Sequence, residues 1–358
     1  MRKFFLITST LTIAFMFNQR VSAQDDFFVP KTTIGGYGEL HYNYTRPDGG
    51  KSEKVLDFHR FVLFVSHSWS EKWSFKSEVE IEHNLIEGGN KGAVELEQAY
   101  INYQASDLFG FQAGVILPSV GLLNEYHEPP TFMGVERPDY SKYIIPTTWF
   151  GNGAAVYGNL NGFDYKLTVM EGLKADNFKA SSGIRDGRQQ GFKADANDLL
   201  YTARLDYLNI PGLKIGVSYT YNNATGDSLN NLVNLFEAHG KYQADNIYAA
   251  FEYGNISYDK GNIKSSYGYY VDLGYNLSDI LKTTSQILPF VRYTDYNTAA
   301  STKTGGDIEK LYHFSKWMVG ISIKPLDSVV FKADYSERKK ELGNQTTKLF
   351  NLGVGYMF

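Results

Sequence analysis

The sequence predicts an all-β fold, a transmembrane antiparallel up-and-down β-barrel of about 16 strands. Three observations predict it. Apolar and polar residues alternate strictly along most of the chain. The last stretch, KLFNLGVGYMF, closes on an aromatic residue. The first stretch has the make-up of an export leader.

In the closing stretch Phe350, Leu352, Val354, Tyr356 and Phe358 share one parity, and Asn351, Gly353, Gly355 and Met357 share the other. An apolar, aromatic-ended face opposite a small or polar one suits a strand with lipid on one side. Tyr356 and Phe358 are therefore the expected C-terminal assembly signal. At the other end, Arg2 and Lys3 precede an apolar run from about Phe4 to Phe17, and Val21-Ser22-Ala23 makes a small-residue cleavage site. Residues 1–23 read as a signal peptide cut before Gln24, because the run falls short of the ~20 residues a spanning helix needs. Residues 24–32 then form a short N-terminal segment on the inner side, and 33–358 the barrel.

Composition fits. The 358 residues include 27 Tyr and 24 Phe, yet mean hydropathy is −0.32. A barrel reconciles these values, since only the outward half of each strand must be apolar. There is no Cys, so no disulfide framework or lipid-modified cysteine is expected. Loss of Arg2, Lys3 and Arg20 with the leader takes the formal charge from −4 to −7. A chain without a basic stripe gives no reason to expect nucleic acid.

The alternation is clearest in WSFKSEVEIEHN, where Trp73, Phe75, Val79 and Ile81 oppose Lys76, Glu78, Glu80 and Glu82. In LLYTARLDYL, Tyr201, Ala203, Leu205 and Tyr207 oppose Thr202, Arg204 and Asp206. In KIGVSYTYN, Ile215, Val217, Tyr219 and Tyr221 oppose Lys214, Ser218 and Thr220. SSYGYYVDLGYN and VVFKADYSE repeat the pattern, the latter with Lys332 and Asp334 on its polar side. Strands are expected to start near residues 33, 55, 73, 94, 109, 153, 163, 198, 212, 231, 247, 265, 286, 314, 328 and 347. Every second connection is short and turn-like, and the others are longer and polar. Three segments break the pattern. The second mixes Asp57, His59 and Arg60 across both parities, the fourth sets Glu95 and Glu97 in phase with Ala99 and Ile101, and the sixth, GAAVYGNL, carries little signal.

The connection over 118–152 is the longest, far above ordinary loop lengths. Its polar residues include Glu125, His127, Glu128, Glu136, Arg137, Asp139 and Lys142, beside the apolar Phe132, Met133, Ile144 and Ile145. Apolar anchors in an exposed loop suggest packing, and an empty lumen offers the surface. This third loop is expected to fold inward and constrict the channel, the alternative being an outward loop packed against its neighbours or a partner chain.

The ordered set IGGYGELHYNY, LEQAYINY, QAGVILPSVGL leading to FMGVERP, LPFVRY, GISIKPLDSVVFKADY and LGVGYMF resembles the phosphate-selective porin (porin O/P-like) family over essentially the whole mature chain. The resemblance implies a water-filled homotrimeric channel in the outer membrane of a Gram-negative bacterium, with an inward third loop. Outer-membrane lipids and the barrel-assembly machinery are the implied partners. Small hydrophilic solutes, anions such as phosphate among them, are the implied diffusing species.

Anion selection needs rows of Arg and Lys along the pore. The wall residues expected to line it are Arg60, Lys76, Glu78, Glu80, Glu82, Arg204, Arg292 and Lys332, and over all inward positions the two signs nearly balance. A constriction bearing both signs predicts modest ion selectivity. Glu125-Tyr126-His127-Glu128 has the residue types of a metal ligand set, but two prolines follow it directly and no partner to orient the ligands is visible, so no metal or cofactor is expected. Asp195, Asn197 and Asp198 lack the spacing of a calcium loop. No Walker loop, nucleophile elbow or HExxH is present, and no catalytic residue is expected. The rivals are a barrel-based hydrolase and an adhesion or assembly protein that works through its extracellular loops.

Overall fold

The computed structural model describes residues 28–86, 92–227 and 230–358. The expected leader and its cleavage site lie outside them. Sixteen antiparallel strands close into one barrel. They are β1 (Lys31–Pro47), β2 (Glu53–Ser68), β3 (Trp73–Glu82), β4 (Ala93–Ser106), β5 (Phe109–Ile116), β6 (Gly151–Leu160), β7 (Phe163–Met170) and β8 (Leu200–Tyr207). The second half comprises β9 (Leu213–Ala224), β10 (Asn231–Ala244), β11 (Ile247–Tyr258), β12 (Ile263–Tyr275), β13 (Gln286–Thr302), β14 (His313–Leu326), β15 (Val329–Lys340) and β16 (Thr346–Met357).

Each strand begins within two residues of its expected start. Strand β1 reaches back to Lys31, because Lys31 and Thr32 still pair with Ser68 and His67 of β2. Neighbours in sequence are neighbours in the sheet, and β16 returns to β1 with Tyr37 opposite Met357. Closure leaves no sheet edge with unpaired backbone groups, a condition for crossing a bilayer with strands.

Burial follows the alternation. In β8, Leu200, Thr202, Arg204 and Asp206 are buried and face inward, whereas Tyr201, Ala203 and Leu205 face out. Val217, Phe331 and Leu352 likewise present about half of their surface outward. Aromatic residues gather toward strand ends, as in the Trp73–Tyr103–Phe111 cluster and the Phe163–Tyr207 pair. Such rings suit the two boundaries of a membrane.

The two charged segments with mixed parity are β-bulges. On β2, Arg60 pairs with Glu39 and Phe58 with Leu40, so His59 is the extra residue. On β4, Gln98 pairs with Glu78 and Leu96 with Val79, which makes Glu97 the extra residue. A bulge adds one residue and shifts the phase of alternation. Here it turns Asp57, His59 and Arg60, and likewise Glu95, Glu97 and Gln98, toward the lumen.

Candidate functional site

The lumen wall is charged, and most of its charges are matched within it. Arg60 lies 2.6 Å from Glu39 and 3.6 Å from Glu80. Arg204 meets Asp206 at 2.9 Å, Lys214 meets the same carboxylate at 2.9 Å, and Arg292 meets Asp272 at 2.6 Å. Buried ions are costly unless paired and hydrogen-bonded, so each pair offsets the desolvation of its members. Among the described residues, Lys76, Lys241, Lys324 and Lys332 have no carboxylate within ion-pair distance. All four lie toward the short-turn ends of their strands.

The third loop, residues 117–150 between β5 and β6, packs against this wall. Lys316 of β14 reaches Asp139 at 2.8 Å, and Lys166 of β7 reaches Glu125 at 2.7 Å. Backbone groups of the loop are held as well. Lys332 donates to the Gly134 carbonyl at 2.8 Å, Arg204 to that of Gly121 at 2.8 Å, and Ser322 to that of Met133 at 2.7 Å. Asp334 accepts the Val135 N–H at 2.8 Å. A loop without regular structure must satisfy its buried backbone somehow. Here inward side chains of β8, β14 and β15 do so.

Apolar contacts fix the loop's position. Phe132, Met133, Ile144 and Ile145 are all buried. Ile144 sits over Gly254 and Gly268, Met133 over Gly274, Val135 over Gly353 and Pro129 over Gly355. A methyl group added at Gly353 would stand 2.9 Å from Val135, and one at Gly355 2.4 Å from Pro129. These glycines are dents in the wall. The fourth loop, 171–199, covers the third from the far side. Arg188 donates to the carbonyls of Pro146 and Thr148, and Arg185 to that of Lys142 at 3.2 Å.

Charge on the loop is tuned by the wall. Burial pushes the Asp139 carboxyl up, but Lys316 outweighs it and holds the group below its ordinary range. Glu125 is likewise lowered, with Lys166 and Arg204 overcoming burial. Glu136, 3.0 Å from His41, is held well below the usual carboxylate range despite its burial.

The sequence-predicted residues therefore separate into groups. Lys76, Arg204, Glu125 and Glu128 line a cavity of about 930 Å³ along β3–β9, with Gln98, Tyr100 and Lys166. Arg292 and Lys332, expected in the pore lining, stand apart from that cavity. They are buried beneath the third loop and serve as its anchors. Arg60, Glu78 and Glu80 are also buried in contacts on the wall, and Glu82 is half-buried. Arg137 donates to the His127 carbonyl at 3.3 Å, and Lys142 is exposed. Tyr356 and Phe358 stack loosely on each other, with Phe358 also facing Phe61. Asp195, far from forming an open cation loop, takes Lys174 at 2.9 Å.

Sequence reading missed Glu97, His41, Lys316 and the fourth loop's role. The signal for Glu97 was its out-of-phase position, and for Lys316 it was a cation on an inward parity. Nothing local to the fourth loop reports that it packs over the third.

These features define a channel-type barrel with a loop packed inside it, and comparisons with known proteins agree. Residues 34–348 match the family model described as phosphate-selective porin O and P. A relative from Aquifex aeolicus (strain VF5), described as an uncharacterized protein, is 34% identical over 350 residues, covering 91% of this chain and 80% of the relative. The chain belongs to the phosphate-selective porin O and P family. Among solved structures, the anion-selective porin from Comamonas acidovorans shares the fold with a TM-score of 0.62 at 12% identity, covering 92% of this chain and 100% of that one. Salmonella typhi OmpF in complex with daunomycin gives 0.65 at 12% identity, covering 92% and 98%. The trimer form of OmpT, an outer membrane protein of Vibrio cholerae, gives 0.59 at 11% identity, covering 92% and 100%. Family and fold together indicate a channel of the Gram-negative outer membrane.

Proposed function

We propose that this chain is a passive, homotrimeric outer-membrane porin, admitting small hydrophilic solutes through the passage left between its third loop and the β3–β9 wall. The observation that carries the reading is that passage itself. A cavity of about 930 Å³ is lined by Lys76, Gln98, Asn102, Gln104, Gln112 and Tyr157, polar groups that a hydrated solute can meet without a deep binding pocket. The loop is the constriction, held by Asp139, Glu125 and its buried apolar residues.

The solutes include anions such as phosphate, but selectivity is weak. Lys76, Lys166, Arg204 and Lys214 line the passage beside Asp107, Glu125, Glu128, Asp164 and Asp206. Two interleaved signs create a transverse field rather than a single-sign filter.

The rivals fare worse. Among the described residues, lumen histidines stand against carboxylates, as with His239 between Glu237 at 2.9 Å and Asp206 at 3.1 Å, and none is hydrogen-bonded to a serine. The third loop spends most of its apolar residues on the interior, which leaves it little to offer an adhesion partner.

Recording purified protein in a planar bilayer tests the reading. Stepwise ohmic currents with a reversal potential near zero in a salt gradient are expected. Absence of conductance would overturn the channel, and a strongly anion-directed reversal potential would overturn the weak selectivity.

A further inference from the structure

Glu78 of β3, the bulged Glu97 of β4 and His127 of the third loop converge in the interior, each no more than 2% exposed. The His127 Nε2 atom lies 3.4 Å from Glu78 Oε1 and 3.4 Å from Glu97 Oε2. None of these three atoms has a hydrogen-bond partner. Buried polar atoms left unpaired are rare and costly, and three facing one point call for a common ligand.

Their remaining atoms are already arranged around that point. His127 Nδ1 lies 3.1 Å from the Asn124 carbonyl, which can only accept, so Nδ1 carries a hydrogen and Nε2 is the atom directed at the carboxylates. Gln98 donates to the other oxygen of Glu78. An imidazole tied to a carbonyl and a carboxylate tied to an amide are what metal ligands usually display. The spacing fits as well. Zinc bonds to nitrogen and oxygen of about 2.0–2.2 Å, at a tetrahedral angle, put neighbouring ligand atoms about 3.3–3.6 Å apart.

A second cluster, Asp57, His59 and His83, contrasts with this one. Its atoms already meet at hydrogen-bond distances of 2.8 to 3.1 Å, so nothing there is left unpaired. Arg60, on the neighbouring wall, is spent on Glu39 and Glu80.

We propose that Glu78, Glu97 and His127 form a buried divalent-metal site of the zinc class, which staples the third loop to the β3–β4 wall. The bulge at Glu97 has a purpose on this reading, since it turns one extra carboxylate inward beside Glu78. The site depends on where the loop packs and not on what the channel carries.

The test uses the full-length protein in detergent, stripped with a chelator, then titrated with Zn²⁺ alone and with Co²⁺ alone. Wild type is expected to bind one ion per chain at this site, with Co²⁺ giving the visible absorption of a tetrahedral complex. Glu97→Gln should abolish that spectrum, Gln98→Ala should weaken binding about 10- to 100-fold, and Asp57→Asn should leave it unchanged. The wild-type titration decides even where a variant fails to fold. No high-affinity ion in wild type would overturn the site and leave a protonated His127 bridging two carboxylates. Binding that survives Glu97→Gln, or is lost with Asp57→Asn, would also overturn it. Bilayer conductance from the stripped protein tells failure of the metal site apart from failure of the channel reading.

Discussion

The carboxylate of Asp334, on β15, accepts the backbone N–H of Val135, at the tip of the third loop, across 2.8 Å. The same side chain takes Asn351 of β16 at 2.8 Å through its other oxygen. One wall residue thus fixes both a neighbouring strand and the loop. Asp334→Leu removes the acceptor, and an unpaired buried N–H costs about 1–3 kcal/mol. The expected result is a channel that still assembles but shows noisier and larger single-channel currents. Currents identical to wild type would show that the loop is held without this contact.

Lipid and lumen positions should respond oppositely to charge. Val217 faces out with 45% of its surface exposed, so Val217→Arg is expected to cost about 2–4 kcal/mol near the midplane. Gln112 lines the open cavity, and Gln112→Arg is expected to fold normally. Ser218, the inward neighbour of Val217, is no substitute for it. It is buried and donates to Glu237 at 2.7 Å, so a large cation would break that contact. Urea unfolding in detergent or lipid measures the difference, and equal losses at Val217 and Gln112 would contradict the assignment of faces.

Acid should release the loop. Asp139 has a carboxyl held below its ordinary value by Lys316. A group lowered on folding contributes stability that is complete above the ordinary value of ~3.9 and is lost as pH falls through the lower, folded one. Glu136 acts in the same direction. In protein stripped of metal, conductance is therefore expected to be flat from neutral pH to about pH 4 and to rise below it. Asp139→Asn should bring the larger conductance to neutral pH. A rise that begins near pH 6 would point to histidine instead.

Much of this architecture was legible in the sequence, because a period of two leaves a plain trace when one face meets lipid. The polar side of KIGVSYTYN and of LLYTARLDYL is the buried side in the structure. The charged bulges were not legible as bulges. Asp57–Arg60 and Glu95–Gln98 look like blurred boundaries until the partner strand shows the extra residue. The site was harder still. Parity tells that Lys332 and Arg292 point inward, but not that a loop nearly two hundred residues earlier in the chain covers Lys332. Loop packing over long separations follows no local period.

The terminal residue should matter for assembly. Gly36 N–H donates to the Phe358 carbonyl at 3.0 Å, and Phe358 N–H returns to Gly36 at 2.9 Å. Deleting Phe358 removes this last rung of the β1–β16 seam and its ring contact with Phe61. A large fall in the heat-modifiable folded form is expected, with export of the chain unaffected. Normal folded yield would show that Phe358 is dispensable.

The glycine dents have a mechanical consequence. Pro129 rests on Gly355 and Val135 on Gly353, both on β16, the strand that meets β1. The third loop is therefore also an internal brace across the join where the cylinder shuts. Bore and strength are coupled, like a keystone that narrows an arch while holding it. Removing residues 125–139 to widen the passage should raise conductance and, in the same protein, lower the temperature at which the folded barrel opens.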